Sequence, residues 1–434
     1  MPFDINSYSD VVRNHKLFRN HIDGFIDKHP EIFPKEITDG YYLKDIYHSK
    51  KLDILKRRID IGGVFYSVRP SFVLPYMTST VSDAEGPLFF RKFDVPFWAL
   101  EHYFGRDSMH WYRMEQSLGR YSLVGTTISK PELLPDHISA DEKHTKLCGE
   151  KAYVPMTVGE DCILGISIAD SAGDDALLDS YSDFKNEAIK VDPDYSPKTV
   201  NNDGWASTVN AWKNLFPKII SVLCFLHVYI KIRKCSKKKL KESYQAVVGR
   251  LWNAYKAKNR RSFSQRVRRL YEYCQINRFS SQITDPILKL KENVGQYGIA
   301  YEYPGAHRTS NMLDRLMNLL DRHLFNMRYF HGEFQSAELS LRGWALIYNF
   351  APSCPESRKR HGGKSCPAER INGFRYRENW LENLLVSASL QGKRTRPLNP
   401  LYQEVSRDVS YRSFLSDPLE MLRNDRIQAP RSLL

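Results

Sequence analysis

The order of structural patterns between residues 137 and 227 constrains the fold of this chain more than any other feature. Three β-rich runs separated by Gly-containing turns come first, as in an antiparallel meander. Helical and extended patterns then alternate up to His227. In chain order the segments are HISADEKHTK, KAYVPMTVG, DCILGISIA, ALLDSYSDFKNEAIKV, KTVNND, STVNAWKNLF and IISVLCFLH. This order of three strands, helix, strand, helix and strand predicts an α/β core.

Acidic residues fall at two separated places in this pattern. Asp141 lies on the first predicted strand and Asp203 at the end of the fourth. The element order resembles that of the ribonuclease H-like fold, whose active-site carboxylates gather from separated positions. Phosphodiester cleavage uses two divalent ions, one to activate the attacking oxygen and one to stabilise the leaving oxygen. Because Mg²⁺ binds hard oxygen ligands and keeps several waters, two or three converging carboxylates suffice. We therefore expect Mg²⁺ as cofactor, with Mn²⁺ as a substitute.

A third carboxylate is expected on a helix beyond the final strand. In RTSNMLDRLMNLLDRHLFN, Thr309, Ser310 and Asn311 offer helix caps, and apolar residues follow at helical spacing with Asp314 in the first turn. Both Asp203 and Asp314 also have ordinary explanations, since an Asp before a helix caps its amides and an acid in the first turn interacts favourably with the helix dipole. Other acids near Asp314 are Glu302, Asp321, Glu333 and Glu338.

Four short stretches carry the candidate site residues. They are Asp141 in ISADEKHTK, Asp203 in NNDGW, Cys224 and His227 in CFLH, and Asp314 in RTSNMLDRLM. Together they resemble the active site of insertion-sequence DDE transposases, especially the Mutator-like group and its bacterial relatives, over about residues 137–350. The resemblance implies that the three Asp residues bind metal and act in catalysis, with Cys224 and His227 as flanking catalytic residues. The group usually has Glu at the third position, where this chain has Asp314.

The Cys224 and His227 pair has other interpretations. Two such residues are half of a structural zinc site, but a closed site needs four ligands and no second pair stands at a recognisable spacing. His227 at the end of the predicted strand either reaches the scissile phosphate or is an ordinary core histidine. The stretch RHGGKS at residues 360–365 is similar to a phosphate-binding loop, but Arg358 replaces its first glycine and no strand precedes it.

Positive charge is concentrated in one segment of the chain. The 434 residues carry a formal net charge of +14, and between residues 228 and 275 fifteen Lys and Arg face two acids. Charge runs are often solvated helix faces, but such a one-sided excess is typical of surfaces that neutralise phosphates. We interpret residues 228–300 as a basic helical insertion that contacts DNA. The expected phosphate contacts are Lys237, Lys238, Lys239, Arg260, Arg261, Arg268 and Arg269.

The remaining segments flank the predicted core, which comprises residues 129–227 and 301–352. The sequence indicates no role for residues 1–92. Within 93–128, PFWALEHYF stops at Gly105 and SMHWYRMEQSLG follows, a helix-turn-helix-like pattern that would bind DNA or pack as an ordinary helical hairpin. Residues 353–434 are predicted to be a loop-rich basic arm lying along DNA, because ten basic residues face three acids between 357 and 400.

These features together predict a DNA transposase that binds element ends, cleaves DNA and joins 3′-hydroxyl ends to target DNA by two-metal-ion transesterification. A catalytically inactive DNA-binding regulator and a ribonuclease H-like structure-selective nuclease are the alternatives. The expected partners are element ends and target DNA, with a homodimer or higher oligomer when bound. The longest apolar run, at 219–230, is too short and too interrupted to span a bilayer, so we expect a soluble protein in a bacterial or archaeal cytoplasm, associated with the nucleoid. Seven scattered cysteines predict reduced thiols.

Overall fold

The computed structural model describes residues 1–50, 52–75, 77–236 and 240–389. Three expected phosphate contacts, Lys237, Lys238 and Lys239, lie outside the described residues, as does the C-terminal arm from residue 390 onward. Among the described residues, no helix is long and apolar enough to cross a membrane.

The N-terminal region is built around a small antiparallel sheet. Its elements are helices α1 (Tyr8–Arg13) and α2 (His15–Lys28) and strands β1 (Tyr42–Ser49), β2 (Ile54–Ile61) and β3 (Val64–Val68), which pair in the order β1-β2-β3. Phe18, Ile22 and Ile59 belong to its apolar core. Buried Arg57 on β2 donates two hydrogen bonds to the carbonyl oxygen of Val12, which fastens the sheet to α1.

Four helices lead from this region to the central sheet. They are α3 (Val81–Arg91), α4 (Phe97–Phe104), α5 (Ser108–Leu118) and α6 (Leu123–Thr127). Gly105, with a φ of +70°, ends α4 in a backbone conformation that suits glycine, and Asp107 caps α5 by accepting a hydrogen bond from the amide of His110.

The central sheet has five strands of mixed direction. Its strands are β4 (His137–Leu147), β5 (Glu150–Gly159), β6 (Cys162–Ile166), β7 (Thr199–Asn202) and β8 (Ile220–Leu223), and they lie in the order β6-β5-β4-β7-β8. β4, β5 and β6 pair antiparallel, whereas β7 runs parallel to both β4 and β8. Helices α7 (Asp174–Val191) and α8 (Ala206–Leu215) connect β6 to β7 and β7 to β8. The predicted α/β class and element order are therefore confirmed.

The final strand is shorter than predicted. β8 ends at Leu223, Cys224 is the N-cap of the next helix, and His227 lies in the first turn of that helix, not on a strand. The apolar run IISVLCFLH reads as one strand, but Phe225, Val228 and Ile232 lie at helical spacing and are buried in the core of the helices that follow. The strand prediction beyond Leu223 is wrong because that second core takes over the apolar residues.

The insertion is helical and has its own apolar core. It contains α9 (Phe225–Arg233), α10 (Lys241–Tyr255), α11 (Arg260–Ile276), α12 (Ser281–Glu292) and α13 (Val294–Gly298). Buried residues of α9 share one cluster with those of α10, α11 and α12. The insertion core thus begins at Phe225, three residues before the predicted boundary at 228.

The chain then returns to the sheet. The last described helices are α14 (Asn311–Asn326), α15 (Phe334–Phe350), α16 (Pro355–Arg360), α17 (Pro367–Asn372) and α18 (Trp380–Ser387). α14 and α15 cover one face of the sheet, packing on β5 residues such as Val154 and Met156. α7 and α8 cover the other face, packing on Ile138 and Ala140 of β4. A layer of helices therefore shields each face.

The predicted loop-rich arm is wrong for residues 353–389. Trp380, Leu381, Leu384 and Leu385 of α18 are buried in the same core as α15. Their helical spacing outweighs the surrounding basic residues, because burying large apolar side chains is the dominant favourable term in folding. The RHGGKS stretch lies at the end of α16 and in the turn after it, so the element directly before it is a helix and not a strand, as predicted.

The α4–α5 hairpin is packed into the core. Trp111, Met114 and Leu118 of α5 are buried. The backbones of α5 and α15 approach closely, since a side chain at Gly343 would lie 2.3 Å from the carbonyl oxygen of Glu115. Because α5 lies so tightly on α15, the packing favours the ordinary helical hairpin over a recognition helix free to enter a groove.

A buried ion pair and the hydrogen bonds around it join three of these helices. Arg342 on α15 pairs with Glu187 on α7 and donates hydrogen bonds to the carbonyl oxygens of Gly119 at 3.1 Å and Tyr121 at 2.9 Å. The other carboxylate oxygen of Glu187 accepts hydrogen bonds from the Ser122 hydroxyl and the Val124 amide at the start of α6. This network fixes the positions of α6, α7 and α15 relative to one another.

Candidate active site

Three of the predicted site residues converge at one point. The potential metal-ligating atoms of Asp141, His227 and Asp314 all lie within 4.8 Å of one another, and each side chain is partly buried. Asp141 is on β4 opposite Met156 of β5, on the face covered by α14. His227 comes from the first turn of α9 and Asp314 from the first turn of α14. Residues far apart in sequence thus form one cluster.

Hydrogen bonds hold the segment that precedes α14 beside the ends of the central strands. The amide of Phe225 donates a hydrogen bond to the carbonyl oxygen of Arg308 at 3.0 Å, and the Asn201 side chain donates one to the carbonyl oxygen of His307 at 3.1 Å. The Arg308 guanidinium lies between the rings of Tyr255 and Tyr301, 4.5 and 4.7 Å from their centroids. These contacts hold α9 and α14 together where they supply His227 and Asp314.

Ser310 connects Cys224 to Asp314. Its hydroxyl lies 3.0 Å from the Cys224 sulfur and donates a hydrogen bond to Asp314 Oδ2 at 2.9 Å, while its amide donates to the same sulfur at 3.2 Å. The sequence marked Ser310 only as a helix cap, so this contact was missed. Cys224 therefore supports Asp314 through Ser310, and it is absent from the candidate metal-ligand group found among the described residues. The four-ligand requirement of a structural zinc site is not met in that group.

Asp203 does not cap α8, because Trp205 is the N-cap residue of that helix and no side chain makes a cap hydrogen bond there. Asp203 is exposed at the end of β7, and its Oδ1 accepts a hydrogen bond from the amide of Trp205 at 2.8 Å, so it stabilises the turn into α8. It lies outside the compact group of Asp141, His227 and Asp314 among the described residues. Its charge nevertheless raises the pKa of Asp141. Asp203 thus closes a turn and contributes to the electrostatics of the cluster.

Three of the other acids near Asp314 interact with basic residues elsewhere. Asp321 is exposed and pairs with Lys143 at 2.9 Å, and Glu302 pairs with Arg260 at 2.9 Å. Glu338 is buried on α15 beside Arg342, and its charge raises the pKa of that guanidinium. Of the candidate third acids, Asp314 is the one that joins the cluster with Asp141.

The cluster holds its acids at raised pKa values. Burial raises the pKa of Asp141 to about 7, the charges of Asp203 and Glu142 add to this, and His227 opposes it. Burial also raises the pKa of Asp314, against the Ser310 hydrogen bond and His227. The contact with Cys224 raises the pKa of His227 to about 9, burial opposes that shift, and the charges of Asp141 and Asp314 support it. The site therefore disfavours bare carboxylates and favours a cation among them.

We expect Asp141→Asn to stabilise the protein at pH 8 in the presence of a chelator. A buried acid whose folded pKa is near 7 binds more protons than the unfolded chain, so its destabilising effect begins above pH 4 and is complete above pH 7. The gain at pH 8 should be roughly 2–4 kcal/mol in the free energy of unfolding and should shrink as the pH falls towards 4. Urea unfolding at several pH values measures it, and Asp321→Asn is the exposed control. An equal gain at pH 4 and pH 8 would contradict the assignment.

Glu142 is a site neighbour that sequence reasoning missed. It follows Asp141 on β4 and therefore points to the opposite face of the sheet. Its Oε1 accepts hydrogen bonds from the hydroxyls of Tyr181 at 2.7 Å and Thr208 at 2.6 Å. Burial raises the pKa of Glu142 against these two hydrogen bonds, and the charge of Asp203 raises it further. An acid that directly follows a candidate catalytic acid on a predicted strand is the sequence signal that could have found it.

The four expected phosphate contacts that are described lie on α11. Arg260 pairs with Glu302, and Arg268 pairs with Glu272 one turn along the same helix. Arg261 and Arg269 are exposed and form no ion pair with any described residue. Phe263, Val267 and Leu270 fill the opposite face of α11, inside the insertion core. This amphipathic arrangement leaves the basic face of α11 accessible.

We expect the double substitution of Arg261 and Arg269 by Ala to weaken binding to any DNA sequence. Each lost phosphate contact reduces the slope of log affinity against log salt by about 0.9, so the double variant should lose nearly two units of slope. Fluorescence anisotropy with duplex DNA at several salt concentrations measures this. Arg13→Ala with Lys16→Ala removes the same charge from the N-terminal helices and should leave the slope unchanged. An equal loss of slope in both double variants would indicate a general charge effect.

The sequence was compared with known proteins. No protein-family model and no curated protein matches it.

Proposed function

We propose that this chain is a DNA transposase of the DDE type, with a ribonuclease H-like catalytic core interrupted by the helical insertion. The observation that carries the proposal is the convergence of Asp141 on β4 and Asp314 on α14, with His227 beside both. The strand order β6-β5-β4-β7-β8, with β7 and β8 parallel to β4, supports it. So does Asp203, which ends the strand next to the one that carries Asp141.

The donor set fits a divalent cation. Asp141 and Asp314 offer carboxylate oxygens close together, their pKa values are raised by burial, and Asp203 adds negative charge nearby. Carboxylate oxygens suit Mg²⁺ and Mn²⁺. Two such ions would activate the attacking oxygen and stabilise the leaving oxygen of a phosphodiester.

The residues of the chain have separate roles in this proposal. Asp141, Asp203 and Asp314 would hold the cations, and Ser310 orients Asp314 through its hydrogen bond to Oδ2. Without a cation His227 favours its protonated form, because the hydrogen bond with Cys224 and the charges of the two acids raise its pKa to about 9. The positive charge of that form is placed to contact the scissile phosphate. Cys224 orients the start of α14 through Ser310.

DNA is the partner that this proposal requires. The exposed basic face of α11 would hold the phosphate backbone near the site, because α9 of the same insertion supplies His227. Recognition of element ends by the 93–128 segment stays a prediction, to which the packed α5 gives little support. We further propose a homodimer or higher oligomer on DNA, in the cytoplasm of a bacterial or archaeal host.

The test is a reaction with DNA taken from both flanks of the gene as donor and a supercoiled plasmid as target. With Mg²⁺ or Mn²⁺ we expect cleavage at the element end and joined donor–target products. Cleavage of branched DNA without joining would favour the structure-selective nuclease. Binding without cleavage would favour the inactive regulator. Chelation by EDTA should abolish every product but leave binding intact.

A further inference from the structure

Glu142 occupies a position that the proposed reaction does not use. Asp141 faces α14 and the metal-ligand cluster, whereas Glu142 faces α7 and α8 on the other side of the same strand. Tyr181 and Thr208, which donate hydrogen bonds to its Oε1, are both buried. Its Oε2 is also buried and has no hydrogen-bond partner among the described residues. Burying a carboxylate oxygen without a hydrogen-bond partner costs free energy, so packing alone does not explain why a glutamate occupies this position.

The hydrogen bond to Thr208 connects Glu142 to the element that carries Asp203. Thr208 lies in the first turn of α8, and residues 203–205 join β7 to that turn. The joint is tight, because Gly204 has a φ of +90° and a side chain there would lie 2.7 Å from Leu223. The Gly204 amide donates a hydrogen bond to the Asn202 side chain at 2.9 Å. The turn that holds Asp203 therefore moves with the start of α8.

Asp141 and Glu142 are neighbours on one rigid strand. A contact that fixes α8 to Glu142 therefore also fixes α8, and the turn before it, relative to Asp141. Asp203 itself is exposed and its hydrogen bond to Trp205 is local. The separation of the two acids therefore depends on how α8 is held as well as on the pairing of β7 with β4.

We propose that Glu142 is a positioning residue that sets Asp203 relative to Asp141 by anchoring the first turn of α8 through Thr208. This inference rests on the proposed function, because it assigns a role in the same cation site. Residues that orient metal ligands through hydrogen bonds are typically worth 10–100-fold in metal affinity or activity.

The experiment uses Thr208→Val, which keeps the shape of the side chain but removes the hydroxyl. Mn²⁺ alone is titrated into the full chain and followed by electron paramagnetic resonance, and the Mn²⁺ dependence of cleavage is measured beside it. Thr208→Val should need about tenfold more Mn²⁺ for half-maximal binding and cleavage. Thr208→Ser, which restores the hydroxyl, should return both to within about twofold of wild type by the same argument. Tyr181→Phe removes the second hydrogen bond to Glu142 and should shift both in the same direction.

The matched control is Thr284→Val on α12. Thr284 is also buried, and its hydroxyl donates a hydrogen bond to the carbonyl oxygen of Phe279 at 3.2 Å, away from the site. Its substitution should leave the Mn²⁺ dependence unchanged. If Thr208→Val and Thr284→Val give the same Mn²⁺ dependence while Asp314→Asn loses Mn²⁺, the positioning role is overturned and the proposed function stands. If wild type and Asp314→Asn bind Mn²⁺ equally, the proposed function fails, and this inference fails with it.

Discussion

An Asp314→Asn variant is expected to lose cleavage and strand transfer by about a hundredfold or more, because a lost ion ligand removes several kcal/mol of transition-state stabilisation. Asp314 belongs to the cluster with Asp141 and His227, and Asn has the same shape without the charge. The rate of cleavage at an element end, measured at saturating Mn²⁺ and DNA, tests this expectation. DNA affinity should stay within about twofold, since the exposed basic face lies on α11.

Loss of activity in this variant should not reflect unfolding. Asp314 Oδ2 accepts the hydrogen bond from Ser310, and the amide oxygen of an Asn side chain can accept the same bond. The lost interaction with the helix dipole is worth only about 0.3–1 kcal/mol. The thermal midpoint of each variant checks the fold. Asp321→Asn, on the same helix and exposed, is the matched control and should retain activity. An active Asp314→Asn beside an inactive Asp321→Asn or Glu338→Gln would mean that the third acid lies elsewhere.

The second large effect concerns stability. Arg342→Met is expected to lower the free energy of unfolding by about 3–5 kcal/mol, because it leaves a buried charge without its partner. The Arg342 guanidinium pairs with Glu187, and the charges of Asp183 and Glu338 also act on it. Its hydrogen bonds to the carbonyl oxygens of Gly119 and Tyr121 are lost as well. Urea unfolding followed by far-UV circular dichroism measures the change.

A second substitution separates charge from packing. Adding Glu187→Gln to Arg342→Met removes the uncompensated carboxylate but keeps an oxygen for the Ser122 and Val124 hydrogen bonds. The double variant should therefore be more stable than Arg342→Met alone. Arg268→Met breaks an exposed pair with Glu272 and should change stability by less than about 1 kcal/mol. If the double variant is the less stable one, lost packing around Arg342 dominates instead.

Local patterns were enough to predict the elements of the central sheet and the helix that carries Asp314. β-rich runs divided by Gly-containing turns marked the first three strands, and candidate caps at residues 309–311 with apolar residues at helical spacing marked α14. The prediction failed where two cores compete for one apolar run, as at Phe225, where α9 begins instead of extending β8. It failed again at Trp380, whose helix lies in a basic stretch that resembles a surface arm.

The contacts that support the site could not be predicted because they are long-range. Ser310 meets Cys224 across 86 positions, and Glu142 meets Thr208 across 66. The spacing of neither pair follows the period of a helix or a strand. Sequence reasoning therefore found the acids by their places on elements and missed the residues that hold those elements together. Identifying which of several acids joins the cluster also required knowledge of how α14 packs on β4.

The position of His227 on α9 has a consequence for any attempt to treat the insertion as a detachable module. A deletion that starts at residue 228 would cut α9 after its third residue and leave His227 without the Val228 and Ile232 packing that holds the helix. The deletion would also remove Tyr255, one of the two rings over which the Arg308 guanidinium lies, and the carbonyl oxygen of Arg308 accepts the hydrogen bond from the Phe225 amide. Experiments that graft or shorten the insertion should therefore leave residues 224–227 and 307–310 intact. Residues 224–227 and 307–310 therefore belong structurally to both the insertion and the central sheet.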